Sequence, residues 1–174
     1  MKKITALLTL CLVGIILFSC KNDTEDELAD NTWSLTPEGV AKGTYRTETV
    51  TLSTQVFQTV EARSQYNTAG GMVGINSTLT LYFTTAGPPP TGTYSITSVD
   101  RLSGRPNSAA IYLQTFGDPS TGLSSTSWYS QENSGQSLSF TFANGKVSAT
   151  FDNVVVKQSG TGPQTGTVSA NITQ

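Results

Sequence analysis

The chain of 174 residues contains no histidine. That absence removes the Ser-His-Asp triad, the Cys-His pair and every zinc site built on imidazole. Cysteine is nearly as scarce: Cys11 and Cys20 are the only two, both within the first twenty residues. No disulfide can brace the rest of the chain, so stability has to come from an ordinary core. After Met1 the one methionine is Met72, which excludes a Met-rich copper site. Charge is sparse as well, at 13% of residues and a formal net charge of −2. Over residues 32–174 seven acidic side chains balance seven Lys or Arg. A neutral body offers nucleic acid no basic patch, and anionic lipid none either.

Carboxylates are the one catalytic chemistry left open. The body holds Glu38, Glu48, Glu61, Asp100, Asp118, Glu132 and Asp152. A glycosidase sets two such groups roughly 5 to 10 Å apart across a cleft. The spacing here shows no pair, and each residue reads as a solvated turn or strand-end group, so the chain reads as a non-enzyme. Asp100, Asp118, Asp152 and Asn153 carry the hard oxygens that Ca²⁺ takes, but without EF-hand spacing. No metal or cofactor is expected.

What the sequence does contain begins with a leader. Lys2 and Lys3 precede an apolar segment from Ile4 to Phe18, interrupted only by Thr5, Thr9 and Gly14. Fifteen residues fall short of the about 20 that a membrane-spanning helix needs, and the pattern is that of a secretory leader. Leu17-Phe18-Ser19-Cys20 closes it. This stretch resembles the processing site of bacterial lipoproteins. The resemblance implies that residues 1–19 form a signal peptide and that Cys20 becomes the acylated first residue, a membrane anchor.

Behind Cys20 the run Lys21-Asn22-Asp23-Thr24-Glu25-Asp26-Glu27 is polar and acidic. It resembles the export signal of surface lipoproteins in the Bacteroidota, which would give Lys21, Asp23, Glu25, Asp26 and Glu27 that role. The resemblance implies an outer-membrane location and display at the cell surface. Read on residues alone, positions 20–31 form a solvated, flexible tether, and one segment can serve both ends.

Residues 32–174 read as a single β domain. Ser and Thr exceed a quarter of the chain, which suits exposed pleat positions. Leu79, Leu81 and Phe83 alternate with polar residues, as do Tyr94 and Ile96, then Leu138, Phe140 and Phe142, then Val147, Ala149 and Phe151, and finally Val168, Ala170 and Ile172. Period-2 alternation marks a sheet with one solvated face. Asn144-Gly145 predicts a type I′ hairpin, with Ala143 opposite Lys146, Phe142 opposite Val147, Phe140 opposite Ala149 and Leu138 opposite Phe151. Asp152-Asn153 breaks the phase, which predicts a bulge or bend. Residues 55–66 read as a strand with Val56, Val60 and Ala62 on one face, a short helix being the alternative. Arg101 to Ser108 reads as an exposed loop. Eight or nine strands predict an all-β fold, an antiparallel β-sandwich, with a calycin-like up-and-down barrel as the alternative.

The second half is similar to small Bacteroidota lipoproteins in Gly92-Thr93-Tyr94, the Asn144 to Phe151 hairpin and the closing apolar strand. That similarity implies an envelope location and a β fold, and no chemistry. Trp128-Tyr129 carries the sharpest binding hint. Adjacent residues of a strand face opposite ways, so one fills the core while the other is open to solvent. An exposed ring there could stack on a sugar or anchor an envelope protein. The function expected is a non-enzymatic envelope binding or assembly module. Glycan binding and carriage of a small apolar ligand inside a barrel are the alternatives.

Overall fold

The computed structural model describes residues 28–174 except 40–41, 55–56, 68–72, 117–124, 133–134 and 161–163. Cys20 and the five expected export residues therefore lie outside the described residues, as do Val56 and Asp118.

The strands are β1 Thr32–Pro37, β2 Gly43–Arg46, β3 Thr49–Thr54, β4 Gln58–Asn67, β5 Val73–Phe83 and β6 Gly92–Thr97. After one turn of 3₁₀ helix at Val99–Arg101 come β7 Ser108–Thr115, β8 Thr126–Ser130, β9 Ser137–Ala143, β10 Lys146–Gln158 and β11 Thr165–Thr173. The all-β class is as expected. Among the described residues the strands number eleven, and they belong to one mixed sheet ordered β2-β1-β11-β10-β9-β6-β7-β5-β4-β3, with β8 bonded to both β10 and β7. That order is not an up-and-down one. β11 lies between β1 and β10, and β6 runs parallel to β7.

The sheet closes through the chain itself. Its terminal strands, β2 and β3, are separated only by Thr47 and Glu48. Thr47 N–H donates to Asn31 O beside β1 at 2.7 Å, and Glu48 N–H donates to Arg63 O of β4 at 2.8 Å. One continuous segment thus changes partner at a single peptide, and a single core fills the enclosed space. Trp33, Phe83, Leu81, Ile111, Leu138 and Phe140 all lie in that core at 1% exposure or less. Phe83 packs against Tyr94 and Phe140 with ring centroids 5.0 Å away in each case.

The Asn144-Gly145 turn has both residues at positive φ, 53° and 76°. Its register runs as predicted from Ala143–Lys146 to Phe140–Ala149 and Ser139–Thr150, where the paired ladder of β9 and β10 ends. Leu138 pairs with Tyr94 of β6 on the other side of β9, and the expected pairing with Phe151 is absent because the β9–β10 ladder stops one residue short of it. The expected bulge is present. The β10–β11 register shifts between Phe151 and Val154, and Asn153 takes φ 48°. Residues 58–67 are strand, with Val60 and Ala62 buried. The loop expected at 101–108 has a structural anchor: Leu102 is fully buried.

Between β7 and β10 the sheet forks. At one end two strands, β6 and β9, fill the gap; at the other the single strand β8 does. Two side chains seal the junction. Ser130 Oγ accepts from Ile111 N at 2.8 Å and donates to Thr97 O at 2.6 Å. On the other side the Gln136 amide accepts from Val155 N at 2.9 Å and donates to Asn153 O.

Candidate functional site

Strand alternation separates Trp128 from Tyr129. Trp128 points inward at 2% exposure, its indole N–H 3.3 Å from Thr126 Oγ1. Tyr129 points outward at 37% exposure. Of the two candidate residues, Tyr129 therefore presents a ring to solvent and Trp128 belongs to the core.

Tyr129 is not isolated. Pairing across β3, β4, β5, β7, β8 and β10 places Thr51, Glu61, Thr80, Tyr112, Tyr129 and Lys157 in one transverse row. Directly opposed residues on one face have touching side chains. The Tyr112 and Tyr129 rings are 4.9 Å apart between centroids and tilted by 38°. The Tyr112 hydroxyl shares a 3.1 Å hydrogen bond with Ser127 Oγ. In the next row Tyr82 meets Phe57 edge to face at 6.2 Å. Glu61 and Arg63, two apart on β4 and so on one face, form an ion pair.

Beside Tyr129, whose ring packs on Tyr112, lies a hollow of about 530 Å³ on the outer face of the sheet. Phe57, Tyr82, Tyr112 and Phe116 supply its rings. Thr51, Ser53, Thr59, Thr78, Thr80, Gln114, Glu61 and Arg63 supply its polar groups. The volume lies within the range of small-molecule sites. Among the described residues no aliphatic side chain lines it.

The outward direction of Tyr82 and Tyr112 is legible in sequence. Tyr82 has the opposite parity to Leu81 and Phe83, and Tyr112 sits between the inward Ile111 and Leu113. Their meeting is not legible, because β5 pairs with β7 past the intervening β6.

Burial pushes the hydroxyls of Tyr45, Tyr82 and Tyr94 above the ordinary tyrosine value. At Tyr82 the neighbouring Tyr112, Tyr129 and Glu61 push the same way. The folded chain thus holds these protons more tightly than the unfolded chain, where tyrosine ionises near pH 10. Stability is fully present below about pH 10 and is lost as pH rises toward the raised folded values. Urea midpoints are expected to fall as pH rises above about 10; an unchanged midpoint in alkali contradicts the assignment.

The other carboxylates are engaged elsewhere. Glu132 pairs with Arg105 and, at 3.7 Å, with Arg101. Thr165 Oγ1 donates to Glu38. Asp152, at the bulge, accepts from Ser169 Oγ at 2.5 Å and from Asn153 Nδ2 at 3.2 Å. The Ser98 hydroxyl, then Asp100's own backbone N–H and Arg101, hold the fully exposed Asp100 carboxyl below its usual range. Among the described residues no group of three or more His, Cys, Asp or Glu is placed to hold a metal ion. Among the described residues Glu61 is the one carboxylate lining the tyrosine hollow.

No protein-family model, curated protein or solved structure matches this chain.

Proposed function

We propose that this chain is a lipid-anchored module of the bacterial outer membrane that binds its ligand, without catalysis, on the outer tyrosine face. The observation that carries the proposal is the convergence of Tyr82, Tyr112 and Tyr129 from three strands beside the Glu61–Arg63 pair. Tyrosine and arginine together are the side chains that dominate recognition sites. The interior is occupied by large side chains, which favours a surface site over an apolar carrier's cavity.

Cys20 supplies the anchor and residues 21–31 the spacer. The chain beyond Leu28 joins the domain where Asn171 Nδ2 donates to Leu28 O at 3.3 Å. Asn171 pairs with Thr150 of β10, whereas Tyr129 pairs with Lys157. That difference of seven residues along a strand corresponds to roughly 20 Å. Tyr129 thus lies beside a part of β10 remote from the point of attachment, as a ligand face turned away from a membrane requires.

Two measurements on the full chain test this. Incorporation of a fatty-acid analogue is expected in the wild type and absent in Cys20→Ala; equal labelling removes the anchor. The chain purified in mild detergent is expected to co-sediment with isolated cell-envelope fragments, and Tyr112→Ala/Tyr129→Ala is expected to abolish this. Unchanged sedimentation of the double variant removes the tyrosine face as the site.

A further inference from the structure

We infer that the tyrosine face takes a neutral oligosaccharide, an inference that rests on the preceding assignment of this face as the ligand surface. A sugar ring has two chemistries. Its axial C–H groups form an apolar face, and its rim carries hydroxyls that both donate and accept. A complementary site must alternate flat rings with short polar side chains, and it has little use for aliphatic bulk. The outer face of β3, β4, β5 and β7 has that composition: aromatic rings interleaved with Thr, Ser and Gln, and no Val, Leu, Ile or Met among the described lining residues.

A protein partner fits less well. Interface cores are depleted in Ser and Glu, and Ser and Thr are under-represented among hot spots, whereas hydroxyl side chains supply much of this lining. Tyr112 and Tyr129 provide two tilted ring faces with centroids 4.9 Å apart, so one sugar face has a surface on which to lie. Glu61 can accept from a pair of adjacent sugar hydroxyls, and Arg63 can donate to one as a planar fork.

Charge selects the class further. Among the described residues Glu61 and Arg63 are the two charged ones lining the hollow, and they neutralise each other. Within that lining a uronic acid, a phosphorylated sugar or an amino sugar would bring a charge with no surplus partner; Lys157, opposite Tyr129, lies outside it. A neutral glycan would bring none. With no histidine in the chain, the site holds no imidazole to act as a switch between about pH 5 and 8.

The test is native affinity electrophoresis of the full chain in mild detergent, in gels containing a mannan, a β-glucan, an arabinogalactan or, as the acidic control, polygalacturonate. At least one neutral polymer is expected to retard the wild type. Tyr112→Ala and Tyr129→Ala are each expected to weaken that retardation at least tenfold, while Tyr129→Phe, which keeps the ring, stays within about threefold. Glu61→Gln tests the polar arm without removing a ring and is expected to weaken binding several-fold, with thermal midpoints confirming that each variant is folded.

Retardation by polygalacturonate alone overturns the neutral-glycan inference, and so does retardation by none of the four. Envelope fragments separate this failure from failure of the binding assignment. Tyrosine-dependent sedimentation that is lost after periodate, which cleaves vicinal diols, and survives protease supports the glycan. The reverse pattern overturns the glycan and leaves the binding face standing. Sedimentation that ignores both tyrosines overturns both.

Discussion

Trp33→Ala is expected to lower the unfolding free energy by about 3 to 5 kcal/mol, the range for truncating a fully buried large aromatic side chain. Trp33 is completely inaccessible to solvent. It sits on β1, beside the point where the sheet closes, and it holds three parts of the closure at once. Across the β1–β11 ladder it faces the small Ala170. Across the β1–β2 ladder it faces Tyr45, whose ring stacks on the indole at 5.9 Å and 24°. Its Nε1–H reaches Ser77 Oγ of β5 at 3.4 Å, on the far wall of the core. Ser77 keeps its own donation to Gln114 O at 3.1 Å, so the loss comes mainly from the emptied volume. Since small domains are stable by only about 5 to 15 kcal/mol, the variant is expected to unfold at far lower urea. Circular dichroism is the suitable probe, because the substitution removes one of two tryptophans. A second readout is the Tyr45 hydroxyl, which burial now pushes up; without the indole its ionisation is expected to move back toward the ordinary value. A stability loss below about 1 kcal/mol would show that the sheet does not depend on this ring.

Much of this core is legible from alternation alone. Leu79, Leu81, Phe83, Val168, Ala170 and Ile172 face inward as their parity demands. The Asn144-Gly145 turn fixes the local register for a local reason: a type I′ turn leaves one way to align its strands. Legibility ends where pairing becomes non-local. The hairpin register extrapolates Leu138 to a place opposite Phe151, yet the β9–β10 ladder ends at Ser139–Thr150, and Leu138 pairs only with Tyr94 of β6 on the other edge. Nothing in the alternation of β9 marks that end, because Leu138 stays inward either way. The same limit governs the candidate site. The outward direction of Tyr129 follows from its adjacency to Trp128, but its contact with Tyr112 depends on β7 and β8 pairing across a stretch whose connection carries no turn signature of fixed length. Parity assigns a face; only the strand order assigns a neighbour.

The fork between β7 and β10 is where that order is most exposed to failure, and Ser130→Ala is expected to cost about 2 to 4 kcal/mol for the loss of a single oxygen, since each buried group left unpaired costs about 1 to 3 kcal/mol. At Ile111, β7 passes from β6 on one side to β8 on the other, and the Ile111 N–H meets the Ser130 hydroxyl instead of a backbone carbonyl. The same oxygen donates to Thr97 O at the end of β6. Ser130 and Ile111 have no solvent exposure and Thr97 is 2% exposed, so water cannot replace what alanine removes. The opposite side of the fork provides an internal comparison. Gln136 pairs with Val155 N and Asn153 O on β10, but Val155 and Asn153 are exposed, so water can take over and Gln136→Ala is expected to cost less. Ser139→Ala, on the exposed face of β9, is expected to fall within about 0.5 kcal/mol. The order Ser130, Gln136, Ser139 is the falsifiable content: urea titrations that place Ser130→Ala at or below Gln136→Ala would remove the hydroxyl as the seal of the fork. The same substitution reaches the ligand face, because Tyr129 precedes Ser130 on β8 and that strand pairs with β7 only from Tyr112 to Thr115. Loosening its end frees the Tyr129 ring from Tyr112, so loss of neutral-glycan retention is expected to accompany the loss of stability.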